Sequence, residues 1–209
     1  MALKSDLLKN LINKFKKNDI LTKGSSAFIF KIIGSFLGYL FLILVTNNLG
    51  AESWGIFALC MALLNIVSIF SRFGIDTALL RFVAQYQSKI EEVKGVYFQG
   101  ISLVLIFSFF FSILLYFFSD IIAELVFQKI HLAPYFKIIA FALIPFSITH
   151  VNDQTFRGLK KIKKFAFFQY VSKFLFAIIF FLLLSNLNHF DQFSLPVYAF
   201  SFAVFMVMI

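Results

Sequence analysis

Four cations stand inside or beside long apolar runs: Lys31, Arg72, Arg157 and Lys173. An ionisable group in a membrane-length apolar stretch is costly and ordinarily faces a cavity or a partner. If its helix starts at Phe165, Lys173 lies about 12 Å inside it, too deep for its stem alone to reach the interface. Four cations converging on one half of a helical bundle would make a cavity attractive to a phosphorylated ligand, through charge-assisted hydrogen bonds. Asn65, Ser68 and Arg72 follow one another at spacings of three and four. They form a polar stripe that Asp76 extends if the helix continues. His150 and Asp153 close another apolar run, while Gln169 and Lys173 stand four apart near the start of a third. Each has a plainer structural reading. Arg72 and Arg157 would set topology or pair with Asp76 and Asp153, and His150 would be a satisfied polar residue at a helix end.

Catalytic chemistry finds little to work with. His131, His150 and His189 show no ligand-like pairing. No Gly-rich phosphate loop follows a strand, and no acidic pair resembles a divalent-metal site. The single cysteine, Cys60, sits in an apolar run, which rules out an internal disulfide and offers no redox or metal motif. The chain is read as a non-enzyme with no cofactor and no metal. A net charge of +9 would suggest nucleic acid in a soluble protein. Here the basic residues cluster between apolar runs, so topology explains them and no nucleic-acid partner is expected.

Long helices must position these groups. Of 209 residues, 61% are hydrophobic and only 14% charged, so too little charge is present for a soluble domain. Mean hydropathy is +0.91. Several apolar runs reach about 20 residues, enough to cross a hydrocarbon core of roughly 30 Å as helix. The fold class is therefore all-α, a polytopic integral membrane protein. A β-barrel would need alternating apolar and polar residues, and these runs are continuous. The 33 Phe residues read as lipid-facing filler.

Six spans are expected, at about 25–46, 54–71, 95–118, 132–151, 165–185 and 195–209. The last run stops at Ile209 after too few residues to cross, so the chain reads as a fragment. Residues 1–24 set six Lys against Asp6 and Asp19, with Leu7, Leu8, Leu11, Ile12 and Phe15 at helical spacing. They read as a cytoplasmic amphipathic helix on an anionic leaflet. A cleavable signal is excluded, because the next run is too long and lacks a small-residue cleavage site. Gly34 and Gly38 form a GxxxG pattern for close helix packing, and Lys31 is expected to share their inward face. Asn47 to Ser53 reads as a tight polar link, Ser119 to His131 as a short interfacial helix, and Pro145 as a kink.

Lys and Arg placement gives the orientation, because cytoplasmic links hold the excess. The N-terminal segment has six, the link after the second run four and the link after the fourth run five, against Lys129 alone in the opposite links. The N-terminus is expected in the cytoplasm.

Two segments then carry a resemblance. LGAESWGIFAL, Leu49 to Leu59, followed by RFGIDTALLRFVAQY, Arg72 to Tyr86, resembles the N-terminal region of polysaccharide-biosynthesis flippases. These are the O-antigen-type (Wzx-like) lipid-linked oligosaccharide exporters of the multidrug/oligosaccharidyl-lipid/polysaccharide, MATE-like superfamily. RGLKKIKKFAFFQ, Arg157 to Gln169, is similar to the basic link between their fourth and fifth spans. Trp54 replaces the usual Tyr before Gly55, and Gln85 stands where an acidic residue is common. The likeness runs from about Thr22 onward. It implies that the chain is one six-helix lobe of a two-lobe transporter with a cavity alternately open to either side. It further implies a bacterial or archaeal cell membrane, a polyprenyl-diphosphate-linked oligosaccharide as substrate, membrane lipid around it and polysaccharide-assembly proteins as partners. The alternatives are a multidrug or other small-molecule exporter of the same fold and a non-transporting membrane subunit.

Overall fold

A backbone in hydrocarbon must satisfy its own hydrogen bonds, and the apolar runs do so as helices. A computed structural model describes residues 2–186 and 191–208, with side chains from residue 24 onward. The fold is all-α, with no strand among the described residues. Among these residues four helices are long and apolar enough to cross a membrane: Gly24–Arg72, Ile90–Phe117, Ile130–Gly158 and Ile162–Ser185. Leu195–Met208 is a shorter apolar helix. The side chains of the expected amphipathic face before residue 24, and His189, lie outside the described residues.

The first of these helices is two arms. Gly50 has φ 87° and ψ 166° within the helical stretch Ala2–Arg72. In a continuous helix Phe41 and Phe57 would be about 24 Å apart. Their ring centroids are 5.4 Å apart, so the chain reverses at Gly50 into arms α1 (2–49) and α2 (51–72). The expected polar link from Asn47 to Ser53 shrinks to one residue because its side chains fold back on helix carbonyls. Thr46 Oγ1 donates to Leu42 O at 2.9 Å, Asn48 Nδ2 to Leu44 O at 2.7 Å and Ser53 Oγ to Leu49 O at 3.0 Å. The Gly50 backbone conformation is essentially closed to other residues. Gly50→Ala is therefore expected to lower stability by about 1–3 kcal/mol, read as a lower thermal midpoint. Ala51→Ser, at an exposed neighbour, should stay within about 0.5 kcal/mol of the parent protein.

The remaining helices are α3 (Ile75–Gln85), α4 (Ile90–Phe117), α5 (Ala133–Gly158), α6 (Ile162–Ser185) and α7 (Leu195–Met208). Phe73 and Gly74, both at positive φ, turn the chain from α2 into α3. Helix α3 is amphipathic and buries Leu79 and Val83. Those two side chains fill the space left by Gly100 of α4 and Gly158 of α5, where an added Cβ would meet them at 2.9 Å. Between α4 and α5 the expected interfacial helix is broken up: an α-turn Ser119–Ile121, a π-turn Ile122–Val126 and a 3-10 turn Ile130–Leu132.

Helix α5 is the centre of the bundle. Ser71 of α2 shares a 2.9 Å hydrogen bond with Ser147, and Ser112 Oγ of α4 donates to Ala140 O at 2.6 Å. Tyr97 of α4 donates to Asn152 Oδ1 at 2.8 Å, and Asn152 Nδ2 donates to Met208 O of α7 at 3.2 Å. Such bonds hold helices together where lipid supplies no hydrophobic drive between them. Pro145 lies inside α5 and leaves the Phe141 carbonyl without its usual helical donor. Phe is not only filler. Phe28, Phe36 and Phe109 are exposed, whereas Phe41, Phe136 and Phe181 are fully buried, and Phe41 meets Trp54, Phe57, Phe174 and Phe181.

The links separate into two ends. Glu52 and Gly55 share a groove with Lys129 and His131, and Tyr135 donates to Asp191 at 3.4 Å, so these links meet at one end. At the other end Gln87 Nε2 donates to Leu159 O at 3.1 Å, joining the α3–α4 and α5–α6 links. That second end carries Arg81, Lys89, Lys94, Arg157 and the lysines between 160 and 164. The first end carries Lys129 and, in addition, Lys137, which is bound to Asp120 at 3.0 Å.

Candidate functional site

Among the described residues the charges buried inside the bundle are Arg72, Asp153 and Lys173, at 9%, 1% and 7% exposure. They come from the end of α2, the last turns of α5 and the middle of α6. Lys173 Nζ lies 3.5 Å from Asp153 Oδ2 and 5.4 Å from the centre of the Phe146 ring. Arg72 Nε donates to Ser68 O at 2.9 Å, and Nη1 lies 3.4 Å from Asp76 Oδ2. Asp76 Oδ1 in turn accepts from the Thr77 amide at 2.9 Å. Asp153 is within electrostatic reach of both cations. His150 meets Phe146 edge-on at 4.9 Å.

Local sequence explains the arrangement. Helix α6 widens into a π-turn at Phe167–Ser172 immediately before Lys173. Such single wide turns are frequent at functional sites. The turn presses the Tyr170 backbone against α1, where a Cβ on Gly34 would overlap the Tyr170 carbonyl oxygen. Gly38, one turn on, would meet only the Phe174 ring at 3.5 Å, an ordinary contact. Three buried oxygens find no hydrogen-bond partner among the described residues: Ser68 Oγ, Gln169 Oε1 and Asp153 Oδ2, the last facing Lys173 at ion-pair distance. A small cavity of about 60 Å³ opens beside Asp153, lined also by Thr149, Asn152 and Phe168. Two cations, one carboxylate and the hydroxyl of Ser68 give a site able to hold an anionic group and a hydroxyl-bearing one together.

The sequence-derived set divides. The structure brings together Arg72, Asp153 and Lys173, with Ser68, Asp76 and His150 around them, while Gln169 lies in the π-turn before Lys173 with its Oε1 buried. It does not bring in Lys31, Arg157 or Asn65, which are all exposed. The expected convergence of four cations is corrected to two. On α1 the contact face runs through Phe30, Gly34 and Phe41, which meet Phe167, Tyr170 and Phe174. Lys31 falls about 60° round the helix from Gly34, on the edge of that face. The Arg157 guanidinium lies over the Phe165 ring at 5.8 Å, and Asp153 pairs with Lys173 instead. Asn65 Nδ2 bonds its own helix at Met61 O, 2.7 Å away, so the polar stripe on α2 begins at Ser68. Sequence reasoning missed Phe146 and Ser147. Phe146 lies seven residues before Asp153, on the same helix face, and that spacing was the available signal.

A family model for polysaccharide biosynthesis proteins matches residues 20–209. The chain belongs to that family. Curated proteins and solved structures gave no match. The matched region takes in α2, α5 and α6 whole, so the buried cluster of this polysaccharide biosynthesis protein lies within it. Its apolar helices place that role at a membrane.

Proposed function

We propose that this polysaccharide biosynthesis protein is a flippase, not an enzyme. It moves a polyprenyl-diphosphate-linked oligosaccharide from the cytoplasmic to the outer leaflet of a bacterial or archaeal cell membrane. The observation that carries this reading is the burial of Arg72 and Lys173 around one carboxylate inside a bundle of apolar helices, in a chain of this family. The diphosphate would compete with Asp153 for Lys173 and with Asp76 for Arg72, while the lipid tail stays in the bilayer. On this reading α1, α2, α4, α5 and α6 each cross the membrane, and α7 enters it. The basic end, with the N-terminus, faces the cytoplasm, and the chain forms one lobe around the transport path.

Substituting Lys173→Gln in the native gene is the direct test. Surface polysaccharide should fall at least tenfold, with the lipid-linked precursor accumulating on the cytoplasmic side. Undiminished export would remove the cationic site from the mechanism. One observation favours a second reading: an exporter of cationic drugs would use a buried acid, and Asp153 is one. Its pairing with Lys173 weakens that reading, which predicts hypersensitivity to cationic drugs on gene deletion.

A further inference from the structure

A second cavity lies away from the charge cluster, at the end of the bundle opposite the basic links. It is an open groove of about 690 Å³ between α5 and α7, within the range of sites that hold one small ligand. Its walls are two helical stripes. Pro134, Ile138 and Phe141 line it from α5, and Tyr198, Phe202 and Phe205 from α7. Both sets repeat at three or four residues, so each is one helix face. From Ser194 to Phe205 the groove runs about 16 Å, close to half of a hydrocarbon core of roughly 30 Å. It therefore reaches from one headgroup layer to about the middle of the bilayer, the depth of a single acyl chain.

Its mouth is polar and of both signs. Lys137 and Asp191 line it, and Tyr135 donates to Asp191 Oδ2 at 3.4 Å. Lys137 also meets Asp120 at 3.0 Å, and among the described residues no cation is paired with Asp191. Around this end the described residues Glu52, Asp120, Glu124 and Asp191 outnumber Lys129 and Lys137. A headgroup of net negative charge would be repelled there. A headgroup with a phosphate and a primary ammonium suits both partners: the ammonium to Asp191, the phosphate to Lys137.

We propose that this groove is a binding site for one phospholipid bearing a primary amine, with an acyl chain between α5 and α7 and its headgroup between Lys137 and Asp191. The site serves the leaflet opposite the basic links and is separate from the transport path.

The test is lipid retention by the purified full chain in nanodiscs of phosphatidylethanolamine and phosphatidylglycerol in equal parts, read by native mass spectrometry. One phosphatidylethanolamine per chain is expected, retained at least fivefold over phosphatidylglycerol. Phosphatidylcholine, which lacks the ammonium N–H, should not replace it. Asp191→Lys should reverse the preference, and Ile138→Trp should abolish retention by filling the groove. If Ile138→Trp does not elute as a single species, the exposed Asp191→Lys decides alone. Equal retention of the two lipids, or an unchanged preference in Asp191→Lys, would overturn the proposal. So would a groove that is closed by another part of the protein and retains no lipid.

Discussion

Asp153→Asn is expected to destabilise the protein by about 3–5 kcal/mol, the cost of leaving buried charge uncompensated. The loss falls unevenly on the two partners of the ion pair. Removing Asp153 leaves Lys173 without a counter-charge and Arg72 with only the rim residue Asp76. Removing Lys173 leaves Asp153 still within reach of Arg72. Asp153→Asn should therefore lower the thermal midpoint in detergent more than Lys173→Gln does. Replacing both by apolar residues of similar size, Asp153→Val with Lys173→Met, should return stability to near or above that of the parent protein, because neither charge then has to be desolvated. A double variant as unstable as Asp153→Asn alone would show that the pair is not an isolated ionic unit.

Gly34→Leu is expected to be nearly as damaging, by a different route. Even a methyl group there collides with the Tyr170 backbone, and a backbone carbonyl cannot rotate away as a side-chain tip can. Overpacking of this kind costs about 1–3 kcal/mol for added methylenes, and a full isobutyl group against a fixed backbone should exceed that range. Helix α1 would be pushed off the π-turn that precedes Lys173, so export should fail together with stability. Gly38→Ala is the control. Its new Cβ would stand 3.5 Å from the Phe174 ring, in ordinary contact, and little change is expected in thermal midpoint or export.

The helices were legible because long apolar runs have no other stable form in lipid. The Arg72–Asp76 pair was legible from a separation of four, although the helix does not continue between them and the pair bridges the turn at Phe73 and Gly74. What escaped was set by geometry between helices. Asp153 pairs with Lys173 rather than Arg157 because of how α6 faces α5, and no one-dimensional spacing carries that. Lys31 shares a GxxxG register yet lies at the edge of the contact face, a difference of some 60° that decides between burial and exposure. The π-turn at Phe167–Ser172 left no mark in the segment FFQYVS. Polar residues flanking Gly50 suggested a loop, but their side chains bond to helix carbonyls and keep both arms helical.

The most direct test of the central claim is polysaccharide export by the Asp153→Val, Lys173→Met double variant, expressed from the native gene and shown to reach the membrane folded. Transport through the buried charge cluster predicts a stable protein that exports little or no polysaccharide, with the lipid-linked precursor retained on the cytoplasmic side. Export at the parental level from that variant would contradict the account.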